Sequence, residues 1–285
     1  MVKYMDWSKA KTILIIAFIV TNILLGYVLL SSEKHVETTI KDSFVEDVIE
    51  ILGRKDITIN TEIPREIPSL NTLTVEYETI DPYEANRNFF NGEGKTENKE
   101  PGVIEISFGE EYLTITNKKA LSYINNSMEE KYLDLDEEKV LELALDFLEQ
   151  RNYSISDMKL SFIKKYGESF NLEFTKLYND RYLEKSNTTM IIDSRGVKTM
   201  ERMWLNPIDE GEKYIYINTA PKALLSLLSM ETTYGKTIEE ISLCYYFDPA
   251  EQDFVDNPNT AIRGKTIPAW RVLFEDGTKI IIDNY

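Results

Sequence analysis

Hydrophobic and polar positions along the chain fall into three regimes. The first is a run without any charge over residues 12–30, Thr-Ile-Leu-Ile-Ile-Ala-Phe-Ile-Val-Thr-Asn-Ile-Leu-Leu-Gly-Tyr-Val-Leu-Leu. As a helix this run extends about 28 Å, close to the hydrocarbon thickness of a bilayer. The second regime is helical spacing. Phe44, Val48, Ile51 and Leu52 predict a helix over 43–52, with Gly53 as its C-cap. Residues 82–90 predict a short helix. Val140, Leu141, Ala144, Leu145 and Leu148 form a stripe after Asp134 and Glu137, a capping-box-like start. Leu224, Leu225 and Leu228 follow Pro221, which suits a first helical turn. The third regime is alternation. Leu73, Val75 and Tyr77 place one face of a strand over 73–80. Residues 103–108 and 112–116 predict a hairpin around Gly109. Further strands are predicted at 159–165, 170–177, 188–192 and 197–205, the last two joined by Asp193-Ser-Arg-Gly196. The C-terminal strands fall at 242–247, 269–274 and 279–282, with Asp276-Gly277 as a hairpin signal. Residues 91–102 are polar, hold Gly and Pro, show no period and predict a loop.

A helix followed by strands thus occurs three times, without sequence identity between the units. The expected fold class is α+β: one N-terminal transmembrane helix, then an extracytoplasmic domain of helices packed on antiparallel sheets, in two lobes. The expected domains are 1–11 (cytoplasmic), 12–30 (transmembrane), 31–130 (first lobe) and 131–285 (second lobe).

Charge supports this topology. Lys9 and Lys11 precede the apolar run, while Ser31, Ser32 and Glu33 follow it, so the positive-inside rule puts the N-terminus in the cytoplasm. Trp7 and Tyr27 lie where the two interfaces would fall. The exit, Tyr27-Val-Leu-Leu-Ser-Ser, has bulky residues where signal cleavage needs small ones, which favours an uncleaved anchor. Inside the run, Asn22 and Gly26 share one helix face, Phe18 extends it, and Thr21 adjoins Asn22. A buried amide between membrane helices gains about 1 kcal/mol from a partner, and glycine admits a close backbone. Phe18, Thr21, Asn22 and Gly26 are therefore the candidate contact with another membrane helix, in a partner or in a second copy of the chain.

The net charge is −17, and Lys3, Lys9 and Lys11 against Asp6 leave −19 on the residues after 30. Acidity of this degree excludes nucleic-acid binding. The single cysteine, Cys244, permits no internal disulfide and reads as a buried small hydrophobe. With one histidine, His35, a Ser-His-Asp triad or a His-rich zinc site has almost nothing to draw on. No Walker loop, nucleophile elbow or dinucleotide fingerprint occurs. Asp134, Asp136, Glu137 and Glu138 lack the spacing of a calcium loop and read as helix-start charges. Paired carboxylates for glycoside hydrolysis are available, but nothing selects a pair. No catalytic residue, metal or cofactor is expected. Tyr214, Tyr216, Tyr245 and Tyr246, among 17 tyrosines, read as half-buried strand faces or as an exposed docking surface.

Two stretches resemble a known family. Met5-Asp6-Trp7-Ser8-Lys9-Ala10-Lys11, running into a membrane helix that holds Asn22, looks like the start of the YycI (WalI) proteins. Gly264-Lys-Thr-Ile-Pro-Ala-Trp270-Arg-Val-Leu-Phe-Glu-Asp-Gly277 looks like their ending. Between them, Tyr216, Leu-Leu-Ser-Leu-Leu at 224–228, Gly235 and Tyr245-Tyr246 fit the same order. The resemblance implies a non-enzymatic regulator in a Gram-positive cell-wall two-component system. It further implies two partners, a YycH-like sister protein and the sensor histidine kinase WalK (YycG). The other expectation is an extracytoplasmic domain that senses a ligand or a cation.

Overall fold

The computed structural model describes residues 7–32, 40–65, 67–249 and 261–283, with side chains in the first segment described from Lys11 to Gly26. The chain forms two compact units, Met1–Ile40 and Lys41–Tyr285.

The first unit holds α1 (Trp7–Ser32), 26 residues long. Its described side chains are exposed all round, among them Leu14 at 73% and Phe18 at 69%. Among the described residues no helix is long and apolar enough to cross a membrane, the described side chains of α1 stopping short of the end of the uncharged run. His35 lies outside the described residues.

In the second unit the periodic stretches become the elements they predict. α2 (Asp42–Gly53) buries Val45, Val48 and Leu52. Gly53 is its last helical residue, and Arg54, in right-handed conformation, is the cap. The chain reverses only at Asp56, which takes the left-handed φ of 57°. α3 (Pro82–Phe90) starts at Asp81, whose carboxylate accepts from the backbone N–H of Tyr83 and Glu84. α4 (Glu137–Glu149) is capped by Asp136, not Asp134. Asp136 accepts from the Lys139 N–H at 2.9 Å, while Asp134 turns through a left-handed φ of 54°. α5 (Ala220–Leu224) contains Pro221 in its first turn and runs on into a 3₁₀ turn, Leu225–Ser229.

The strands are β1 (Thr58–Ile59), β2 (Ser69–Tyr77), β3 (Lys95–Glu100), β4 (Val103–Phe108), β5 (Glu111–Thr116), β6 (Ala120–Asn125), β7 (Met158–Tyr166), β8 (Ser169–Tyr178), β9 (Arg181–Asp193), β10 (Gly196–Met203), β11 (Leu205–Tyr216), β12 (Thr237–Tyr246), β13 (Arg263–Lys265), β14 (Ile267–Phe274) and β15 (Lys279–Ile282). Twelve of them form one sheet, through β15-β14-β12-β9-β10-β6-β5-β4-β3, with β8 and β7 added beside β9 and β1 beside β12. The remaining three, β11-β2-β13, form a second sheet. The fold is α+β, as expected, and mostly antiparallel. Two pairings are parallel, β12 with β9 and β12 with β1. β10 pairs with β6, so the sheet passes without interruption across residue 130, and the two lobes read from the sequence lie in one compact unit.

Five strands fall outside the predicted ones: β1 and β13 are only two and three residues long, and β3, β6 and β11 carry no legible signal of their own, β3 lying within the stretch 91–102 expected as a loop. β3 is almost wholly exposed and pairs with β4 at the sheet edge, so its Lys-Thr-Glu-Asn-Lys-Glu sequence needs no apolar face. β6 buries only Leu121 and Tyr123. β11 holds Pro207 and a run of charges, and β2 tolerates them through two register shifts.

α3 and α4 cover one face of the main sheet. Ala85, Phe90, Val140, Ala144 and Leu148 pack there with Ile106, Leu113, Leu121, Phe174, Met190 and Met200. β9 is the shared spine. Its C-terminal half pairs with β10, and its N-terminal half pairs with β12. Between them residues 184–186 have no partner on β8, because Thr175 faces Asn187 and Lys176 faces Leu183. Lys185 sits there at φ 68°, with Glu184 and Ser186 buried on either side.

Glu184 meets a buried ionic network drawn from five strands. Arg271 Nε donates to Glu184 Oε1 at 2.8 Å, and Arg271 Nη1 donates to Glu240 Oε2 at 2.8 Å. Lys279 bridges Glu184, at 2.8 Å, and Glu173. The Arg271 guanidinium also lies 4.2 Å from the centroid of the Tyr182 ring. Arg271 is completely buried. Burial opposes its charge, but Glu184 and Glu240 outweigh burial and hold its pKa above the ordinary range. Deleting one member of such a network strands the others without a counter-charge, at about 3–5 kcal/mol. Arg271→Met is expected to lower unfolding free energy by that amount in urea titrations, and Arg271→Met/Glu184→Leu to recover part of it. A loss below about 1 kcal/mol in the single variant would contradict this role.

Candidate functional site

The helix face proposed for partner contact lies within the described part of α1. Asn22 Nδ2 donates to the Phe18 carbonyl at 2.9 Å, one turn back. Thr21 Oγ1 donates to the Ala17 carbonyl, also at 2.9 Å. Both polar groups therefore lean on their own helix. An amide has two donors and one acceptor, so this bond leaves Asn22 with a second N–H and its oxygen. Gly26 has nothing within 4 Å of where a Cβ would stand. Phe18, Asn22 and Gly26 share the face because they are spaced by four.

In the second unit, the face of the main sheet away from α3 and α4 is open. Its middle row runs across six strands as Glu173, Thr189, Glu201, Ser122, Thr114 and Glu105. Two clefts of about 280 and 390 Å³ share Thr189 and Glu201 on this face. Glu173 is held by Lys279 and Glu105 by Lys99. Among the described residues no three metal-ligating side chains converge. The acidic cluster before α4 serves the helix: Asp136 caps it, and Lys139 Nζ reaches back to the Asp134 carbonyl at 2.8 Å.

The tyrosines divide. Tyr245 and Tyr246 are buried, whereas Tyr214 and Tyr216 on β11 are 60% and 69% exposed. Cys244 is buried, its thiol donating to the Ala269 carbonyl at 3.4 Å, and burial pushes its pKa well up.

The C-terminal motif, 264–277, is structural throughout. Thr266 is buried, and its hydroxyl accepts from the Leu73 N–H at 3.3 Å, tying β13 and β14 to β2. Trp270 Nε1 donates to the Asn218 carbonyl at 2.7 Å. Arg271 anchors the ionic network. The hairpin after β14 docks on β7: the Tyr166 hydroxyl donates to the Asp276 carbonyl at 3.0 Å, and Lys164 Nζ to the Glu275 carbonyl at 2.9 Å. Gly277, at φ 84°, lies so close to the Phe162 ring that a Cβ would stand 2.6 Å from it. The sequence alone marked this stretch as distinctive without showing that a buried charge stands at its centre.

No family profile and no curated protein sequence matches the chain. Solved structures do. An uncharacterized protein from Eubacterium rectale aligns at a TM-score of 0.51 and 10% identity, over 87% of this chain and 98% of that one, and shares the fold. YycH from Bacillus subtilis aligns at 0.48 and 14% identity, over 78% of this chain and 56% of that one. The C-terminal domain of YpeB from Bacillus megaterium aligns at 0.37 and 9% identity, over 86% and 93%.

Asp276 gives the docked hairpin a pH signature. Partial burial pushes its pKa up, but hydrogen bonds from Lys236 and Thr278 and the Lys236 charge together bring it down to about 2, from 3.8. A carboxylate depressed by folding stabilises above its unfolded pKa, and the contribution disappears as pH falls through the folded value. Asp276→Asn should therefore be less stable than the parent above about pH 4, with the difference closing as pH falls toward 2. Urea midpoints across that window read this directly, and a difference that stays constant with pH would refute it.

Proposed function

We propose that the chain is a membrane-anchored, non-enzymatic regulator of a sensor histidine kinase of the WalK (YycG) kind. It acts with a YycH-like sister protein in Gram-positive cell-wall homeostasis, its N-terminus cytoplasmic and its acidic unit extracytoplasmic. The observation that carries this reading is α1. α1 is free of charge from Thr12 on and exposes its apolar side chains between Ile13 and Leu25, which suits a hydrocarbon or packed environment. The amide of Asn22 and the small Gly26 share one face. The motifs at 5–11 and 264–277, with the order of residues between them, support the choice of family and so of partners.

The physics of such a regulator is differential binding. A helix that contacts the kinase equally in both signalling states shifts nothing, however tightly it binds. Regulation therefore needs a contact that strengthens in one state. Asn22 suits this role, since its second N–H and its oxygen remain for a partner helix. Self-association through the same face is the competing use of these groups.

The test is crosslinked co-purification from native membranes, comparing the native helix with one of scrambled sequence. Kinase and sister protein are expected with the native helix, and kinase only with it. Asn22→Leu is expected to reduce kinase recovery about fivefold, the equivalent of about 1 kcal/mol, with the outer unit still folded. Unchanged recovery and unchanged target-gene output would remove Asn22 from the contact. Recovery of the sister protein alone by both helices would move the binding surface to the outer unit.

A further inference from the structure

Three arginines lie against aromatic rings among the described residues: Arg151, Arg202 and Arg271. Arg202 pairs with Glu78 at 3.1 Å, and Arg271 pairs with Glu184 and Glu240. Among the described residues Arg151 makes no ion pair with a carboxylate. Its guanidinium lies 3.4 Å from the centroid of the Phe147 ring, with Phe89 and Tyr123 at 5.1 and 5.8 Å. One N–H donates to the Phe147 carbonyl at 3.1 Å, and Nε is enclosed without any acceptor. The nearest acid is Glu111, which acts on Arg151 by charge without pairing with it and accepts from the Tyr123 hydroxyl at 2.6 Å, while Tyr123 itself hydrogen-bonds Arg151. Burial lowers the Arg151 pKa, and Tyr123, Glu111 and Tyr153 offset it only in part.

Arg151 also lines a cleft of about 240 Å³ between the end of α4, β6 and the start of β10. Asn125, Tyr132 and Gln150 line it too, offering amides and a phenol. Its other cations are already engaged, Arg195 by Asp193 and Lys131 by Glu129 at 3.4 Å. Glu111 and Asp146 stand in the same cleft and repel any anion, a doubly charged one twice as strongly as a singly charged one.

We propose that this cleft binds a small monocarboxylate, whose carboxylate pairs with Arg151 while amides on the rim hold its polar remainder. A guanidinium already held flat by rings matches a carboxylate with little further ordering. The volume suits a ligand of amino-acid size. This site is independent of the contact made by α1.

The probe is N-acetylglycine, with the neutral N-acetylglycinamide as its control, titrated calorimetrically into the full chain in detergent at constant ionic strength. The acid is expected to bind and the amide not. Arg151→Met is expected to weaken binding about tenfold or more, the worth of a hydrogen bond to a charged group. Arg151→Lys keeps the charge and should also bind more weakly, and it serves if the Met variant fails to fold. If both Arg151 variants unfold, Gln150→Leu on the rim carries the test and must weaken the acid. No binding of the acid by the parent chain overturns the proposal. So does equal binding of acid and amide, or binding unaffected by the folded variants.

Discussion

The buried pairing of Arg271 with Glu184 is the constraint on which the second unit is organised. A guanidinium without solvent is tolerable only when carboxylates are delivered to it in fixed positions. Those carboxylates come from β9 and β12, and Lys279 on β15 ties Glu184 to Glu173 on β8. A slip of one residue in any of these strands would turn its charge to the opposite face. The network therefore selects one register for the half of the sheet where strand pairing is mixed. Apolar side chains alone, being interchangeable in volume, would hold that register less strictly.

Elements were legible in the sequence wherever burial on one side imposed a period. β2 shows its Leu73, Val75, Tyr77 face, and α4 its Val140, Ala144, Leu148 stripe, because each packs against a core. Where pairing alone holds the chain, as in β3 and β11, composition is free and the period vanishes. Cap chemistry was readable in kind but not in register, since acidic residues stand at both 134 and 136 and only backbone geometry chooses between them. The ionic network leaves one trace in the sequence. A lone arginine inside Ile-Pro-Ala-Trp-Arg-Val-Leu-Phe must be buried if the strand is central, and a buried arginine implies carboxylates nearby. Which carboxylates, among so many, is a matter of topology. Arg151 was hidden for a similar reason, since its rings come from Phe89, Tyr123 and Phe147 on three separate elements.

The two units solve opposite solvation problems. α1 presents apolar side chains and satisfies its few polar groups from its own backbone, through Thr21 and Asn22. The second unit carries nearly all the charge and places part of it inside, compensated pair by pair. In the first unit, the Asn22 amide keeps hydrogen-bonding capacity beyond its bond to the Phe18 carbonyl. In the second unit an unpaired group is a cost that the fold has mostly removed, which is why Arg151, half-buried without an ion pair, stands out.

Cys244 brings a practical consequence. It is the chain's only thiol and is sealed beneath the β12–β14 pairing, beside the ionic network. Alkylating reagents reach such a sulfur only when those two strands part, so its rate of labelling reports the opening of this part of the sheet. Cysteines introduced on the surface for dyes or spin labels would meet no competition while the protein stays folded. The native molecule thus carries its own internal clock for unfolding and leaves its exterior free for site-specific chemistry.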